Sequence, residues 1–359
     1  MRNCRRAMRK RRRMLFKKTI STFSSIPERL MRKLLPVIIL SLFSCNSSAQ
    51  QQHIVPIIFD TDIAPDYDDV GAMALLHAFA DKGEAKILAT ISSNAFATTA
   101  PTLSVLNTYF NRPGIPIGIT KTTLPNKNCS QQWAQAIIAK YPHALTSNDE
   151  AMDAVKLYRK ILSSQHDTSV TIVSVGFFTN LAGLLNSQAD EYSKLDGLAL
   201  VRAKVKKLVS MAARIDKDGK SGYEFNVMVD ARASQKVFSD WPTPIIISGF
   251  EIGEKILTGI RLINNKSIQN SPVKDAFRIA LNYDSNKVGR NSWDETAVLV
   301  AVLGIEPWFG FRKLNFKIKD DGQDILIPGD KFTYLQFKQT PQEIGEMIEN
   351  LMMHQPGKN

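Results

Sequence analysis

The sequence predicts an α/β fold with an open, mostly parallel sheet and helices on both faces. Continuous apolar runs rich in Val and Ile recur along the chain, and segments with helical spacing of apolar residues separate them. Apolar residues make up 44% of the 359 positions and charged residues 22%, as in globular proteins. Strands that are apolar on both faces are typical of parallel sheets buried between helices.

Strands are predicted where short apolar runs end at polar or turn residues, and helices where apolar residues recur at helical spacing. The predicted strands span 54–59, 86–92, 115–119, 170–175, 207–211 and 244–248, and the predicted helices span 70–80, 98–110, 153–163, 180–186, 231–238 and 295–303. In such sheets ligands bind beyond the carboxyl ends of the strands, so we expect the functional residues there.

The net charge of +12 is concentrated at the amino terminus. Residues 1–35 hold 13 Lys or Arg residues and one acidic residue, which leaves 33 basic and 33 acidic residues in the rest. A nucleic-acid-binding domain needs a basic surface on its folded part. The charge balance therefore excludes nucleic acid as an expected partner.

The amino-terminal region has the pattern of an export signal. A basic segment at 31–33 precedes an apolar run at 34–43, and small and polar residues follow to residue 49. The apolar run is too short to span a bilayer, and the order of segments is typical of a secretory leader. Cys45, close behind the run, favours a lipoprotein leader at 31–49, with lipidated Cys45 anchoring an exported protein to a membrane on its periplasmic or cell-surface side.

Cleavage near residue 49 would instead give a soluble periplasmic protein. We expect Met31 to be the true start and residues 1–30 to be an extension of the gene model, which leaves one domain at 54–350. Beyond Cys4 and Cys45 the chain contains only Cys129. Neither a disulfide framework nor a cysteine metal site is expected.

A dense group of acidic residues follows the first predicted strand. Asp60, Asp62, Asp66, Asp68 and Asp69 lie within ten positions, directly before a helix. Helix capping accounts for one or two carboxylates in a first turn, but not for the whole group. Carboxylates at this density repel one another unless protons or a cation intervene, and oxygen ligands suit Ca²⁺ or Mg²⁺. The segment therefore predicts a site for a hard cation.

Other polar segments stand at the predicted ends of strands or starts of helices. They are Asn94, the segment 176–180, Glu224 to Asn226, and Trp293 with Asp294. Each alone is explained as well by a turn, a helix cap or a solvated loop. Their setting at strand ends favours the alternative that they form one site with the acidic group.

Taken in order, these motifs resemble those of the inosine-uridine preferring nucleoside hydrolases, over about 54 to 350. The acidic segment resembles the family's Asp-x-Asp…Asp-Asp motif, with the five-residue spacer 63–67 where the usual spacer has three residues. The segment 174–181 resembles the Gly-x-x-Thr-Asn turn. Glu224 to Asn226, followed by Asp230, resembles the Glu-Phe-Asn…Asp signature, and Asp294 the late Asp.

The resemblance implies a nucleoside-hydrolase-type fold and roles for particular residues. Calcium would be bound by the carboxylates of Asp62, Asp69 and Asp294 and by the main-chain carbonyl of Val175; Asp68 and Asn94 would hold the ribose 2′- and 3′-hydroxyls; Glu224 and Asn226 would contact the 3′ and 5′ side of the sugar. It also implies a small-molecule ribonucleoside as substrate, a role in purine or pyrimidine salvage, and a homodimer or homotetramer.

The implied reaction is hydrolysis of an N-glycosidic bond to free base and ribose. Positive charge develops on the ribose in the transition state, and nearby carboxylates stabilise it. We expect Asp62 to be the base that takes a proton from a Ca²⁺-bound water. We expect Asp66 to point to solvent, with an outer ligand as the alternative.

The acid that protonates the leaving base is not identified. Many members of the family place a His before the late Asp, whereas this chain has Trp293. Trp293 either stacks on the base or packs as an ordinary aromatic residue. Its presence leaves open a non-catalytic lipoprotein that binds a nucleoside or sugar.

A phosphatase is a further alternative. Asp60 to Asp62 after a strand resembles the start of Mg²⁺-dependent haloacid-dehalogenase-type phosphatases, although residues 63–65 depart from that pattern. Of these functions, we expect an N-glycosyl hydrolase acting on ribonucleosides or a related ribosyl compound.

Overall fold

A nine-stranded sheet forms the centre of the computed structural model, which describes residues 54–215 and 222–357. The strands of this sheet are β1 (Val55–Thr61), β2 (Ala85–Ser92), β3 (Ile117–Ile119), β4 (Met152–Asp153), β5 (Val170–Ser174), β6 (Val205–Met211), β7 (Ile245–Ser248), β10 (Phe309–Ile318) and β11 (Asp324–Phe337). Two short strands, β8 (Leu257–Thr258) and β9 (Arg290–Asn291), pair separately.

The strand order is β10-β11-β7-β6-β5-β1-β2-β3-β4. Neighbouring strands are parallel, except for the antiparallel pair β10–β11 at one edge. The predicted α/β fold with a mostly parallel sheet is therefore confirmed. The six predicted strands and six predicted helices are all present, with ends that differ by a few residues.

Helices cover both faces of the sheet. They are α1 (Asp68–Asp81), α2 (Thr99–Tyr109), α3 (Trp133–Lys140), α4 (Ala154–Ser163), α5 (Thr179–Asn186), α6 (Gly197–Lys204), α7 (Phe225–Val229), α8 (Ala231–Asp240), α9 (Phe250–Gly253), α10 (Ile260–Asn264), α11 (Pro272–Tyr283), α12 (Trp293–Leu303) and α13 (Pro341–Met352). Two buried apolar clusters result, one on each side of the sheet.

Two features of this architecture position the candidate site. The parallel strands β1, β5 and β6 end at the same edge of the sheet, so the residues that follow them lie close together. Helices α1 and α12 pack against each other in the first apolar cluster. Both helices carry acidic residues in their first turns, where the positive end of the helix dipole favours negative charge.

The predictions for residues 1–49, the lipidation of Cys45 among them, lie outside the described residues and stay predictions, as does the domain boundary at 54. In the described part of the chain, no helix combines the length and apolarity needed to cross a membrane.

Candidate active site

A cavity of about 230 Å³ opens at the carboxyl edge of the sheet. It is lined by Asp62, Asp66, Asp68, Asp69, Val175, Met211, Glu224, Phe225, Asn226, Phe250, Arg290, Trp293 and Asp294. Segments that are far apart in sequence supply these residues, and the fold brings them together. Eight of the nine predicted site residues line this cavity; Asn94 does not.

Three buried carboxylates form the core of the site. Asp68, Asp69 and Asp294 place oxygen atoms within 4.8 Å of one another. The packing of α1 against α12 causes this approach, because all three residues stand in the first turns of these helices. The group contains two predicted calcium ligands, Asp69 and Asp294. It has Asp68, predicted to bind the sugar, where Asp62 was predicted as the third carboxylate ligand.

The electrostatics of the carboxylates favour a cation. Burial, and secondarily the neighbouring carboxylates, raise the pKa of Asp62, Asp69 and Asp294 well above the ordinary value. The buried Oδ2 atoms of Asp62 and Asp69 have no hydrogen-bond partner among the described residues. Buried unpaired carboxylate oxygens are costly, and a hard cation would both pair them and reverse the pKa shifts. The residues present therefore fit a hard cation, Ca²⁺ among them.

One carboxylate of the acidic segment does not line the cavity. Asp60 is buried elsewhere, where its carboxylate accepts hydrogen bonds from the Tyr158 hydroxyl at 2.8 Å and from Asn180 Nδ2 at 3.2 Å. Burial raises the pKa of Asp60 to about 7. The hydrogen bond between Asp60 and Asn180 thus connects the end of β1 to the start of α5. Only the other acidic residues of the segment are placed to bind a cation in the cavity.

Thr61 orients the carboxylate of Asp69. Its hydroxyl donates a short hydrogen bond to Asp69 Oδ1 and accepts one from the Ile63 amide at 3.0 Å. The Asp69 carboxylate is therefore fixed on one side and unpaired on the other. This arrangement suits a metal ligand, because the hydrogen bond from Thr61 to one carboxylate oxygen fixes the direction of the other oxygen, which is free to coordinate.

The Val175 carbonyl, the predicted main-chain ligand, lies directly after β5. It accepts a hydrogen bond from Asn226 Nδ2 at 3.0 Å. A carbonyl oxygen has two lone pairs, so this bond leaves one acceptor position for a cation. Asn226, predicted to contact the sugar, therefore also fixes the peptide after β5.

Glu224 caps the short helix α7. Its two carboxylate oxygens accept hydrogen bonds from the amides of Asn226 and Val227 at 2.9 and 3.1 Å. The side chain is buried, and desolvation raises the pKa of Glu224 to about 7. The carboxylate lines the cavity while serving as a helix cap. Glu224 is therefore a helix cap, and its contact with a sugar stays a prediction.

Asn94 does not line the cavity, and its side chain holds backbone groups instead. Its Nδ2 donates to the carbonyls of Asp62 at 3.0 Å and Lys127 at 2.9 Å. Its Oδ1 accepts from the amides of Phe96 and Lys127. The amide group is thus occupied in this structure, and the contact of Asn94 with a ribose hydroxyl stays a prediction.

Aromatic residues also line the cavity. Trp293 lines the cavity, donates its indole N–H to the Phe250 carbonyl at 2.9 Å, and packs its ring 5.2 Å from the Phe250 ring. Phe225 also lines the cavity and makes an edge contact with the buried Phe177. The Trp293 ring is therefore held in one orientation by hydrogen bonding and packing.

Asp66 is half exposed and makes an ion pair. Its carboxylate lies 2.8 Å from Arg290 Nη2, and both residues line the cavity. The expectation that Asp66 points to solvent is therefore wrong in part, because a specific partner holds it. The negative charge of the surrounding carboxylates favours the arginine at this position. The sequence alone could not predict the contact, because Arg290 and the acidic segment are far apart along the chain.

Sequence reasoning did not single out several residues around the site. Met211 and Phe250 line the cavity, and each lies at or just after the carboxyl end of a strand, a position that could have identified them. Glu295, which follows Asp294 in the sequence, is fully buried, and neither of its carboxylate oxygens has a hydrogen-bond partner among the described residues. A Cβ on Gly71 would lie 2.1 Å from Glu295 Oε1, so this glycine leaves the space for the carboxyl group.

Solved structures of similar fold include nucleoside hydrolases. A purine-preferring ribonucleoside hydrolase from Gardnerella vaginalis aligns with a TM-score of 0.61 at 15% identity, covering 83% of this chain and 99% of that one. An inosine-uridine preferring nucleoside hydrolase from Bacillus anthracis aligns with a TM-score of 0.62 at 13% identity, covering 84% and 99%. At these identities the likeness shows the fold.

Curated relatives are similar in sequence over part of their length. The pyrimidine-specific ribonucleoside hydrolase RihA of Salmonella agona is 31% identical over 218 residues, which is 56% of this chain and 62% of that protein. The chain thus matches less than two thirds of the relative. The family model for inosine-uridine preferring nucleoside hydrolases matches residues 57–345. With the fold and the cavity it encloses, this match shows that the chain belongs to the inosine-uridine preferring nucleoside hydrolase family.

Proposed function

We propose that this protein hydrolyses the N-glycosidic bond of ribonucleosides, or of a related ribosyl compound, in a calcium-dependent reaction. One observation carries the proposal. The buried carboxylates of Asp68, Asp69 and Asp294 converge within 4.8 Å in a cavity at the carboxyl edge of the sheet. Family membership supports the reaction class and gives no support to the phosphatase alternative.

Asp62, Asp69, Asp294 and the Val175 carbonyl are the groups that would hold Ca²⁺. When bound, Ca²⁺ would orient the sugar diol and lower the pKa of a water molecule at the site. A carboxylate has two oxygen atoms, so Asp62 can hold the cation with one and accept the proton of the attacking water with the other; it is the proposed base. The further carboxylates of the cavity stabilise the positive charge that develops on the ribose.

The ribose would lie between the carboxylates and the segment at the start of α7. Asp68 is proposed to bind the diol, and Glu224 with Asn226 the other side of the sugar. Glu224 is suited to this role because its carboxylate is already fixed by two helix amides and loses little freedom when the substrate binds.

The base is proposed to lie against Trp293. The indole ring lines the cavity and cannot turn freely, because its N–H is bonded to the Phe250 carbonyl. A rigid aromatic surface favours stacking of a planar base. His is absent from the described residues that line the cavity, so the leaving base would depart without protonation by an imidazole there.

The test is turnover of purified protein on a panel of inosine, adenosine, guanosine, uridine and cytidine, with calcium and with EDTA. Release of free base and ribose that requires calcium is the expected result. Both purine and pyrimidine nucleosides belong in the panel, because the similar proteins include a pyrimidine-specific and a purine-preferring hydrolase by name.

Silence across the panel would overturn the proposal. If the protein then still bound calcium and nucleosides tightly, the function would be that of a nucleoside-binding lipoprotein. Full turnover in EDTA would contradict calcium dependence while leaving the reaction class intact.

We also propose that the mature protein is exported and anchored through a lipid on Cys45. The leader pattern at 31–49 supports this proposal. Incorporation of labelled palmitate that is lost in Cys45→Ser is expected. A soluble, unlabelled wild-type protein in the periplasm would support cleavage near residue 49 instead.

A further inference from the structure

Arg290 occupies an unusual position in the candidate site. It is the one basic residue among the described residues that line the cavity, where it faces six acidic side chains. Its Nε and Nη2 atoms both donate to Asp68 Oδ1, at 3.0 and 2.8 Å. The second oxygen of Asp68 takes no part in this contact and is available to another partner.

Aromatic and acidic side chains restrict the movement of the Arg290 guanidinium. Its carbon atom lies 5.0 Å from the ring centroids of both Tyr67 and Trp293. Tyr67 is buried and packs edge-on against Phe277 of α11. The Arg290 side chain keeps only 18% of its surface exposed. A planar cation between two aromatic rings and two carboxylates has few alternative conformations.

Three partners of Arg290 come from the longer acidic segment. Asp66 and Tyr67 are the last two residues of the spacer 63–67, which is two residues longer than the spacer usual in the family that the sequence resembles. Asp66 pairs with Arg290 at 2.8 Å, and Tyr67 lies against its guanidinium. The longer spacer and Arg290 therefore form one structural unit, although Arg290 lies 222 positions after Asp68 in the sequence.

We propose that Arg290 is the positioning residue for ribose recognition, holding Asp68 for the sugar diol and away from the cation. A guanidinium that neutralises Asp68 makes this carboxylate a weaker ligand for a cation than Asp69 or Asp294. Pinning Oδ1 fixes the direction in which Oδ2 faces, which suits a hydrogen bond to a hydroxyl. This assignment accounts for why Asp68 stands in the group of three carboxylates without acting as a calcium ligand.

The inference rests on the proposed function and predicts a selective defect. In Arg290→Gln the loss of kcat/KM on a ribonucleoside is expected to be about 10- to 100-fold, the range for a hydrogen bond to a charged group. Analogues that lack the 2′- or the 3′-hydroxyl would make fewer hydrogen bonds to Asp68 in the wild type, so the substitution removes less binding from them. Their turnover should fall much less, so that discrimination between ribose and deoxyribose narrows by about tenfold or more.

The experiment measures kcat/KM for a ribonucleoside and its 2′-deoxy and 3′-deoxy analogues in wild type, Arg290→Gln and Asp66→Asn. Calcium affinity and thermal unfolding are measured on the same samples. Asp66→Asn should shift discrimination in the same direction by a smaller factor, because Arg290 keeps its two hydrogen bonds to Asp68 when the ion pair with Asp66 is lost. The control is Arg112→Lys, whose ion pair with Asp81 lies outside the cavity; it should change none of these values.

Chemical rescue distinguishes a positioning role of Arg290 from a purely structural one. Guanidinium chloride at non-denaturing concentration is expected to restore ribonucleoside turnover in Arg290→Ala and not in Asp69→Ala. An equal loss on all three substrates, or a parallel loss of calcium affinity, would overturn the inference. So would unchanged discrimination in a folded Arg290→Gln protein.

The proposed function can fail independently of this inference. If the wild type binds ribonucleosides without cleaving them, the same discrimination is read from dissociation constants, and its narrowing in Arg290→Gln would still support the role of Arg290. If the wild type neither binds nor cleaves any of the three substrates, both the proposed function and the inference are wrong.

Discussion

Gly176 offers the sharpest structural test of how the site is supported. It follows the Val175 carbonyl, and a Cβ at this position would lie 2.3 Å from the Asp62 amide nitrogen and 2.6 Å from the Thr61 carbonyl carbon. Ordinary contacts begin at 3.4 Å. Because the obstructing atoms are backbone, Gly176→Ala must move the segment that carries Asp62, or its own, by about 1 Å.

The size of the effect follows from this displacement. Overpacking of this kind costs about 1–3 kcal/mol of folding free energy. A misplacement of about 1 Å at a catalytic group can cost about 100-fold in turnover. Calcium affinity should fall as well, since the Val175 carbonyl and Asp62 lie on the two segments that are forced apart.

The assay combines urea unfolding, calorimetric calcium titration and nucleoside turnover. Gly310→Ala is the matched control, because a Cβ on Gly310 of β10 would meet no atom within 4 Å. It should leave calcium affinity and turnover unchanged. If Gly176→Ala lost less than about 0.5 kcal/mol, with wild-type calcium affinity, the reasoning from close backbone approach would be refuted.

Three further predictions concern the cation, the leaving base and pH. Asp69→Ala should abolish both calcium binding and turnover, because the Asp69 carboxylate is held by Thr61 on one side and unpaired on the other; normal turnover in this variant would rule out the metal assignment. Trp293→His should raise hydrolysis of purine nucleosides if the missing acid limits the rate, and no change in a folded variant would count against that account. Burial raises the pKa of Asp324 from 3.8 to about 8, so the native state holds a proton that the unfolded chain releases above pH 4, and stability falls as pH rises towards 8. The stability of Asp324→Asn relative to wild type should therefore rise by about 4 kcal/mol, an upper value, between pH 5 and pH 9 in urea unfolding; equal pH profiles would contradict a buried carboxyl whose Oδ1 has no hydrogen-bond partner among the described residues.

The sequence predicts the sheet well where strands are apolar on both faces. β1, β2, β5, β6 and β7 are buried between helices, so their continuous apolar runs are visible without tertiary information. The hairpin β10–β11 is not predicted. Its strands alternate between buried and exposed residues at the edge of the sheet, and its place beside β7 depends on a parallel pairing that no local pattern encodes.

The site is predictable to the extent that it follows strand ends and motif order. Asp62, Asp69 and Asp294 are found in this way, and all three line the cavity. Asp60 shows the limit, because its direction depends on Tyr158 and Asn180, which reach it from other helices. Arg290 shows the same limit, because its contact with Asp68 exists only when the fold brings α1 and β9 together.

The most direct test of the account is a calcium titration in which binding and nucleoside turnover are followed on the same protein preparation. The account predicts that turnover is absent in EDTA and rises with the same midpoint as occupancy of a single calcium site that is missing in Asp69→Ala. Turnover that persists without calcium, or a filled calcium site with no turnover on any ribonucleoside, would contradict the central claim that this carboxylate cluster supports nucleoside hydrolysis.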